Sequence, residues 1–164
     1  MIAPLAVSVV IPACNAAATL SETLDSLIAQ RFADWEAIVV DDGSDDDTAA
    51  VAAAYAERDA RIRLIRQSRS GVCAARNAGI ATCLHDWLLF LDADDWVTPD
   101  HLLRMTDRLH TSPEIDAVHC GWVRVAPNGA RVGEKLGPDD VDLFRCSPAT
   151  VHSRSMRASF ARRP

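Results

Sequence analysis

Three carboxylates close the stretch Leu88-Leu89-Phe90-Leu91-Asp92-Ala93-Asp94-Asp95, directly after an apolar run. Acids crowded this closely repel one another, and the repulsion is relieved when a divalent cation shares their charge. Hard cations such as Mg²⁺ and Mn²⁺ take oxygen ligands, commonly one or two carboxylates completed by substrate phosphates. The stretch Ala37-Ile38-Val39-Val40-Asp41-Asp42-Gly43-Ser44 repeats the arrangement. Its acids can accept the N–H and O–H donors of a nucleobase or a ribose. Both stretches also have a purely local reading. Asp, Gly and Ser are turn formers, Asp95 can bond within its own loop, and Asp45, Asp46 and Asp47 suit the positive end of a helix dipole.

A third candidate is Arg76-Asn77, inside Gly71-Val72-Cys73-Ala74-Ala75-Arg76-Asn77-Ala78-Gly79. A guanidinium can neutralise phosphate with forked donors; the alternative is a surface residue of a helix. The glycines at 71 and 79 match neither the P-loop nor the dinucleotide-binding pattern, which weighs against a nucleotide triphosphatase or a dehydrogenase. Cys14 has no histidine placed beside it by sequence and reads as a small buried residue. The histidines at 85, 101, 110, 119 and 152 show no metal-binding spacing. Trp96, next to the acids, has the best claim to line a pocket.

Alternating apolar and helical patterns supply the scaffold for these groups. Strands are expected over 5–11, 35–40, 62–65, 87–91 and 116–125. Helices are expected from about 20 to 30, from a cap at Asp46 or Asp47 to about 58, over 72–82, and from 99 to about 110. Thr19-Leu20-Ser21-Glu22 has the form of a capping box. Thr98-Pro99 puts a capping hydroxyl before a proline at the first helical position. Pro127-Asn128-Gly129-Ala130 reads as a hairpin turn. Strand–helix alternation implies an α/β fold, a mainly parallel sheet with helices on both faces. In such sheets ligands bind beyond the carboxyl ends of the strands. Strand one brings Pro12, Ala13 and Asn15 to that edge, strand two Asp41 and Asp42, and strand four Asp92, Asp94 and Asp95.

Composition narrows the classes. The 164 residues suffice for one domain with a real core, and 49% hydrophobic content excludes wholesale disorder. A net charge of −6 argues against a nucleic-acid partner. All 23 acids lie at or before Asp142, whereas the last 22 residues hold five arginines and no acid. Five cysteines without a Cys-x-x-Cys pair fit free thiols in a reducing compartment. No signal peptide or membrane-spanning run is read, so the expected location is cytoplasmic, with peripheral contact at the inner membrane face left open.

Four motifs, taken in order, resemble glycosyltransferase family 2, a family of the GT-A fold. Ser8-Val9-Val10-Ile11-Pro12-Ala13-Cys14-Asn15 is similar to its opening strand and Pro-x-Tyr-Asn. Val39-Val40-Asp41-Asp42-Gly43-Ser44 is similar to its Val-Asp-Asp-Gly-Ser, Ala75-Arg76-Asn77-Ala78-Gly79 to its Ala-Arg-Asn-x-Gly, and Phe90-Leu91-Asp92-Ala93-Asp94-Asp95 to its Leu-Asp-x-Asp-Asp. The motifs cover about residues 5–105, and their order and spacing make the set specific.

The resemblance implies a Rossmann-like half that binds a nucleotide-sugar. Pro12, Ala13 and Asn15, with the Asp42 carboxylate, would hold the base. Asp41 would support the loop or the ribose, Arg76 would lie near the diphosphate, and Asp92 would face the ribose or a metal-bound water. Asp94 would ligate Mn²⁺ or Mg²⁺. The implied reaction is inverting sugar transfer to an acceptor hydroxyl of a saccharide, a lipid-linked or another acceptor, in cell-envelope polysaccharide synthesis. Two departures stand out. Cys14 replaces the family's Tyr and removes aromatic stacking on the base, and His85-Asp86-Trp87 replaces Gly-Glu-Tyr. The family's catalytic base comes from a later acidic motif. Asp139, Asp140 and Asp142 match no such motif, so the base is not identified. The expected organisation is a nucleotide-sugar-binding domain over 1–133 and an irregular basic tail over 134–164, a truncated or frameshifted end. A donor-binding remnant without turnover is then the alternative function, and an incomplete sheet edge would favour a homodimer. A receiver domain and a dehalogenase-like phosphatase rank lower, since both place their key acids after the first strand.

Overall fold

The computed structural model describes residues 5–112, 114–126, 130–135 and 159–162. The chain runs β1 (Val7–Ala13), α1 (Leu20–Ile28), β2 (Trp35–Asp42), α2 (Thr48–Arg58), β3 (Ile62–Gln67), α3 (Val72–Thr82), β4 (Trp87–Phe90), α4 (His101–Thr111), β5 (Ala117–His119), β6 (Trp122–Val125), β7 (Arg131–Lys135) and β8 (Ser159–Arg162). The main sheet has the order β3-β2-β1-β4-β8-β5. Strands β3, β2, β1 and β4 are parallel, and β8 pairs antiparallel with both β4 and β5.

Side-chain alternation along β1 and β2 builds two apolar layers. Val7, Val9, Ile11 and Ala13 join Ala37 and Val39 against Leu20, Leu24 and Leu27 of α1 and Leu102, Met105 and Leu109 of α4. Val10, Ile38 and Val40 face the other way, against Ala75 and Cys83 of α3 and its end. The α3 helix covers its face so closely that a Cβ on Gly79 would stand 2.4 Å from Val10 Cγ1. β1 and β2 are buried along nearly their whole length, as expected of central parallel strands.

Several local expectations give way to tertiary contacts. Thr19 occupies the N-cap position of α1 but makes no side-chain capping bond. Its hydroxyl donates instead to the Ala93 carbonyl at 2.9 Å, and Thr23 donates to the same carbonyl at 3.0 Å. Pro99 does not open α4, whose N-cap position is Asp100. The Leu102 N–H is satisfied by Gln30 Oε1 at 2.9 Å, and Gln30 Nε2 donates to the Thr98 carbonyl. A capping hydroxyl at Thr98 is therefore not needed. The strand expected over 116–125 is two strands, β5 in the main sheet and β6 paired antiparallel with β7 in a separate two-stranded sheet. Residues 127–129 of the expected hairpin turn lie outside the described residues, and Ala126 N–H donates to the Ala130 carbonyl across it. β7 runs through position 133, and β8 comes from the 134–164 segment.

Candidate functional site

The carboxyl ends of β1, β2 and β4 lie side by side, with β1 in the middle. The chain after β1 goes to one side of the sheet and the chain after β3 returns to pack on the other, so a crevice forms where the connections diverge. Pro12 and Ala13 end β1, and Cys14 and Asn15 follow at the surface. Asn15 takes φ 53°, a left-handed conformation that asparagine tolerates. Its N–H donates to Ser44 Oγ and its Oδ1 accepts from Asp45 N–H. Ala16 and Ala17 N–H donate to Thr48 Oγ1 and Asp46 Oδ2. The loops after β1 and β2 are thus zipped together into one wall.

Neighbouring acids of a strand point to opposite faces. Asp41, 1% exposed, accepts the Ser44 N–H at 3.1 Å and lies 3.4 Å from Arg66 Nε. Asp42, 4% exposed, turns toward the start of α3. Its Oδ1 accepts from Gln67 Nε2 and Ser70 N–H, and its Oδ2 from Gly71 N–H, each at 2.7 Å. The Gln67 amide, with the two backbone amides, holds the Asp42 carboxyl below the usual range despite burial. The buried acid therefore organises the 68–71 loop, and one lone-pair position on Oδ2 is left for a further donor.

Arg76 and Asp92, separate by sequence, meet: Arg76 Nη2 donates to Asp92 Oδ1 at 2.8 Å. The guanidinium carbon lies 5.8 Å from the Phe90 ring centroid, and Arg76 Nε is buried without a partner among the described residues. Asp94 is exposed. The sequence makes Asp95 the structural member of the trio. Its Oδ1 is instead buried without a hydrogen bond among the described residues. Burial, then Asp94, then Asp92 push its carboxyl up from 3.8 to about 7. An orphaned carboxylate oxygen beside two more carboxylates is an unmet demand for positive charge. Two carboxylates plus a diphosphate make up a familiar donor set for Mg²⁺ or Mn²⁺, so Asp92 and Asp94 suit such a cation chemically. Among the described residues no group of three acids, histidines or cysteines is already arranged around a cation position.

The acid-bearing loop is pinned from α1. Thr19 and Thr23 hold Ala93, Ser26 Oγ accepts the Val97 N–H, and Gln30 brackets Thr98 and Leu102. Residues 19, 23, 26 and 30 recur at helical spacing, a polar stripe that a search for apolar periodicity passes over. Trp96 is about half exposed beside the site. Asp139, Asp140 and Asp142 lie outside the described residues. A shallow concavity bounded by Ala6, Ala33, Asp34, Trp35, Arg61 and His85 sits at the opposite, amino-terminal edge of the sheet, away from all these groups.

The sequence model of Glycosyl transferase family 2 matches residues 8–152, which spans every element of this edge. The chain belongs to glycosyltransferase family 2. It is 37% identical over 118 residues to the uncharacterized glycosyltransferase EpsJ of Bacillus subtilis (strain 168), covering 72% of this chain and 34% of that protein. It is 44% identical over 103 residues to the succinoglycan biosynthesis protein ExoO of Rhizobium meliloti (strain 1021), covering 62% and 29%. The chain thus spans about a third of the length of these relatives. The fold is similar to that of S. aureus TarS in complex with UDP-GlcNAc (TM-score 0.63, 25% identity, 79% of this chain and 37% of that one). It is likewise similar to the mannosyltransferase PcManGT of Pyrobaculum calidifontis in complex with GDP-Man and Mn²⁺ (TM-score 0.62, 27% identity, 74% and 36%). The architecture, a parallel β3-β2-β1-β4 sheet with helices, is that of GT-A glycosyltransferases. Among the described residues no helix is long and apolar enough to cross a membrane.

Proposed function

We propose that this chain binds the donor for a glycosyltransferase that moves a sugar from a nucleotide-sugar to an acceptor hydroxyl with inversion. One observation carries the reading. The Asp42-organised loop, the Arg76–Asp92 pair and the exposed Asp94 lie along one sheet edge, in a fold whose solved neighbours include TarS with UDP-GlcNAc and a mannosyltransferase with GDP-Man. The wall of Pro12, Ala13 and Asn15 orients the base, helped by the last acceptor position of Asp42. Asp41 keeps that wall in place through Ser44. Arg76, already short of a partner at Nε, turns from Asp92 toward the diphosphate, which frees the Asp92 carboxylate for the ribose or for a cation. Asp94 holds the cation. A bound Mn²⁺ or Mg²⁺ would offset the charge that develops on the departing nucleoside diphosphate. Direct displacement at the anomeric carbon further requires a carboxylate base for the acceptor hydroxyl, an element worth typically ~10²–10⁴ in rate.

The test is calorimetric titration of UDP and GDP into the chain with Mn²⁺, for the wild type and for Asp94→Ala. Binding by the wild type and its collapse in the variant are expected, with the variant's thermal melt unchanged. Equal affinity in a folded variant would remove Asp94 from the metal role, and no binding by the wild type would remove the donor-site reading altogether.

A further inference from the structure

The arginines of the carboxyl edge differ in what they touch. Arg66 and Arg76 each have a carboxylate within ionic reach. Arg69 does not figure among the ion pairs of the described residues; its Nη2 donates instead to Cys14 Sγ at 3.0 Å. A thiol is among the weakest acceptors a side chain offers. Both groups are exposed. The backbone of Arg69 is nevertheless held hard in place. It crosses the end of β2 over Gly43, where a Cβ would stand 2.7 Å from Arg69 N and where φ is +66°. The next two amides, Ser70 and Gly71, are the ones bound to Asp42. A planar cation thus spans the ends of β2 and β1 on a rigid loop, with most of its donors and its faces uncommitted among the described residues.

Two partners suit such a group, a phosphate through charge or an aromatic ring through its face. Position decides between them. Arg76 and the acids Asp92, Asp94 and Asp95 gather at the end of β4, which makes that the diphosphate side. The Arg69 backbone stands over the end of β2 and its guanidinium reaches Cys14 past the end of β1, so it lies one to two strand spacings, roughly 5–10 Å, from the β4 group. A nucleoside diphosphate laid along the edge with its phosphates at β4 has its base there.

We propose that Arg69, propped by Cys14, packs its guanidinium plane on the nucleobase of the donor and is a further base-recognition residue of this chain. The inference rests on the donor-site reading above and adds to it a residue and a mode of contact. Cys14 and Arg69 then act as a unit: the small thiol leaves room over the end of β1, and the arginine fills it. Arg69 also lies near enough for its charge to help keep Asp42 ionised, so the stacked cation and the buried acid would face the same base.

The experiment compares UDP, GDP and inorganic pyrophosphate as probes, each with Mn²⁺, on the wild type, Arg69→Ala and Arg69→Lys. Stacking of a base on a planar side chain is worth roughly fivefold to a hundredfold in affinity, less at an exposed position. Arg69→Ala should therefore weaken UDP and GDP by about five- to thirtyfold and leave pyrophosphate within about twofold. Arg69→Lys keeps the charge and loses the plane, so it should resemble the alanine variant. An equal loss for pyrophosphate, or full rescue by lysine, would make Arg69 a phosphate ligand and overturn the proposal, as would unchanged nucleotide affinity. A wild type that binds pyrophosphate but neither nucleotide would overturn it as well, and one that binds none of the probes would take the donor-site reading down with it.

Discussion

Gly79→Ala adds one methyl group where α3 meets β1. The new carbon would stand 2.4 Å from Val10 Cγ1, 3.2 Å from Cγ2 and 3.3 Å from Cβ. Val10 is fully buried and its strand is held on both sides, opposite Ile38 of β2 and Phe90 of β4. A β-branched side chain on a clamped strand has little freedom to turn away, so the helix must lift. Overpacking of this kind costs about 1–3 kcal/mol. Alanine regains up to about 1 kcal/mol of helix propensity over glycine. An approach of 2.4 Å puts the clash in the upper part of that range, about 2–3 kcal/mol, so the net expectation is a loss of about 1–2 kcal/mol, or roughly 2–8 °C in melting temperature for a chain of this size. Lifting α3 also shifts Arg76 away from the proposed diphosphate side of the edge, so nucleotide affinity should fall with stability. The assay is urea unfolding of Gly79→Ala, Val10→Ala and the double variant. Val10→Ala removes the clashing carbons, so the double variant should be more stable than the sum of the single losses by about 1 kcal/mol or more. A Gly79→Ala variant as stable as wild type, or strictly additive losses, would refute the argument that the glycine exists for close approach.

Asp42→Ala should weaken UDP and GDP binding with and without Mn²⁺, because it frees the 68–71 loop and removes an acceptor for the base; a loss seen only with metal present would assign Asp42 to the cation instead. Stability should also show two opposed pH dependences. Asp95, raised from 3.8 to about 7, contributes stability that is present at low pH and is lost as pH rises through about 4 to 7. His101, pushed down from 6.5 to about 4 by burial and by Arg104, does the reverse and adds stability as pH rises from about 4 to 6.5. Denaturant unfolding between pH 5 and 6.5 should therefore rise more steeply with pH in Asp95→Asn than in the wild type, and a parallel pair of curves would sink the assignment.

The one-dimensional pattern carried a good deal. Apolar runs such as 37–40 and 88–91 end in acids, and a parallel α/β sheet has only one edge at which such ends can collect. That is why the parallel part of the sheet, its helices and the gathering of Asp42 and Asp92 at one edge are legible in the sequence, whereas β8 is not. Strand–helix alternation implies parallel pairing, but the order β3-β2-β1-β4 and the insertion of β8 between β4 and β5 come from the tertiary structure. Partner choice is another matter, because it depends on what lies across space. Thr19 and Glu22 spell a capping box, yet the Thr19 hydroxyl finds Ala93, 74 residues away. Thr98-Pro99 spells a helix start, but Gln30 supplies the acceptor that α4 needs. Asp95 looked like the harmless member of its trio until packing buried one of its oxygens without a donor. Gly79 looked like part of a motif until the Val10 contact gave it a steric reason. Arg69 carried no sequence signal at all. Its thiol partner lies 55 positions earlier, and only the crossing of the 68–71 loop over the end of β2 brings a planar cation to the place where this chain has no aromatic ring.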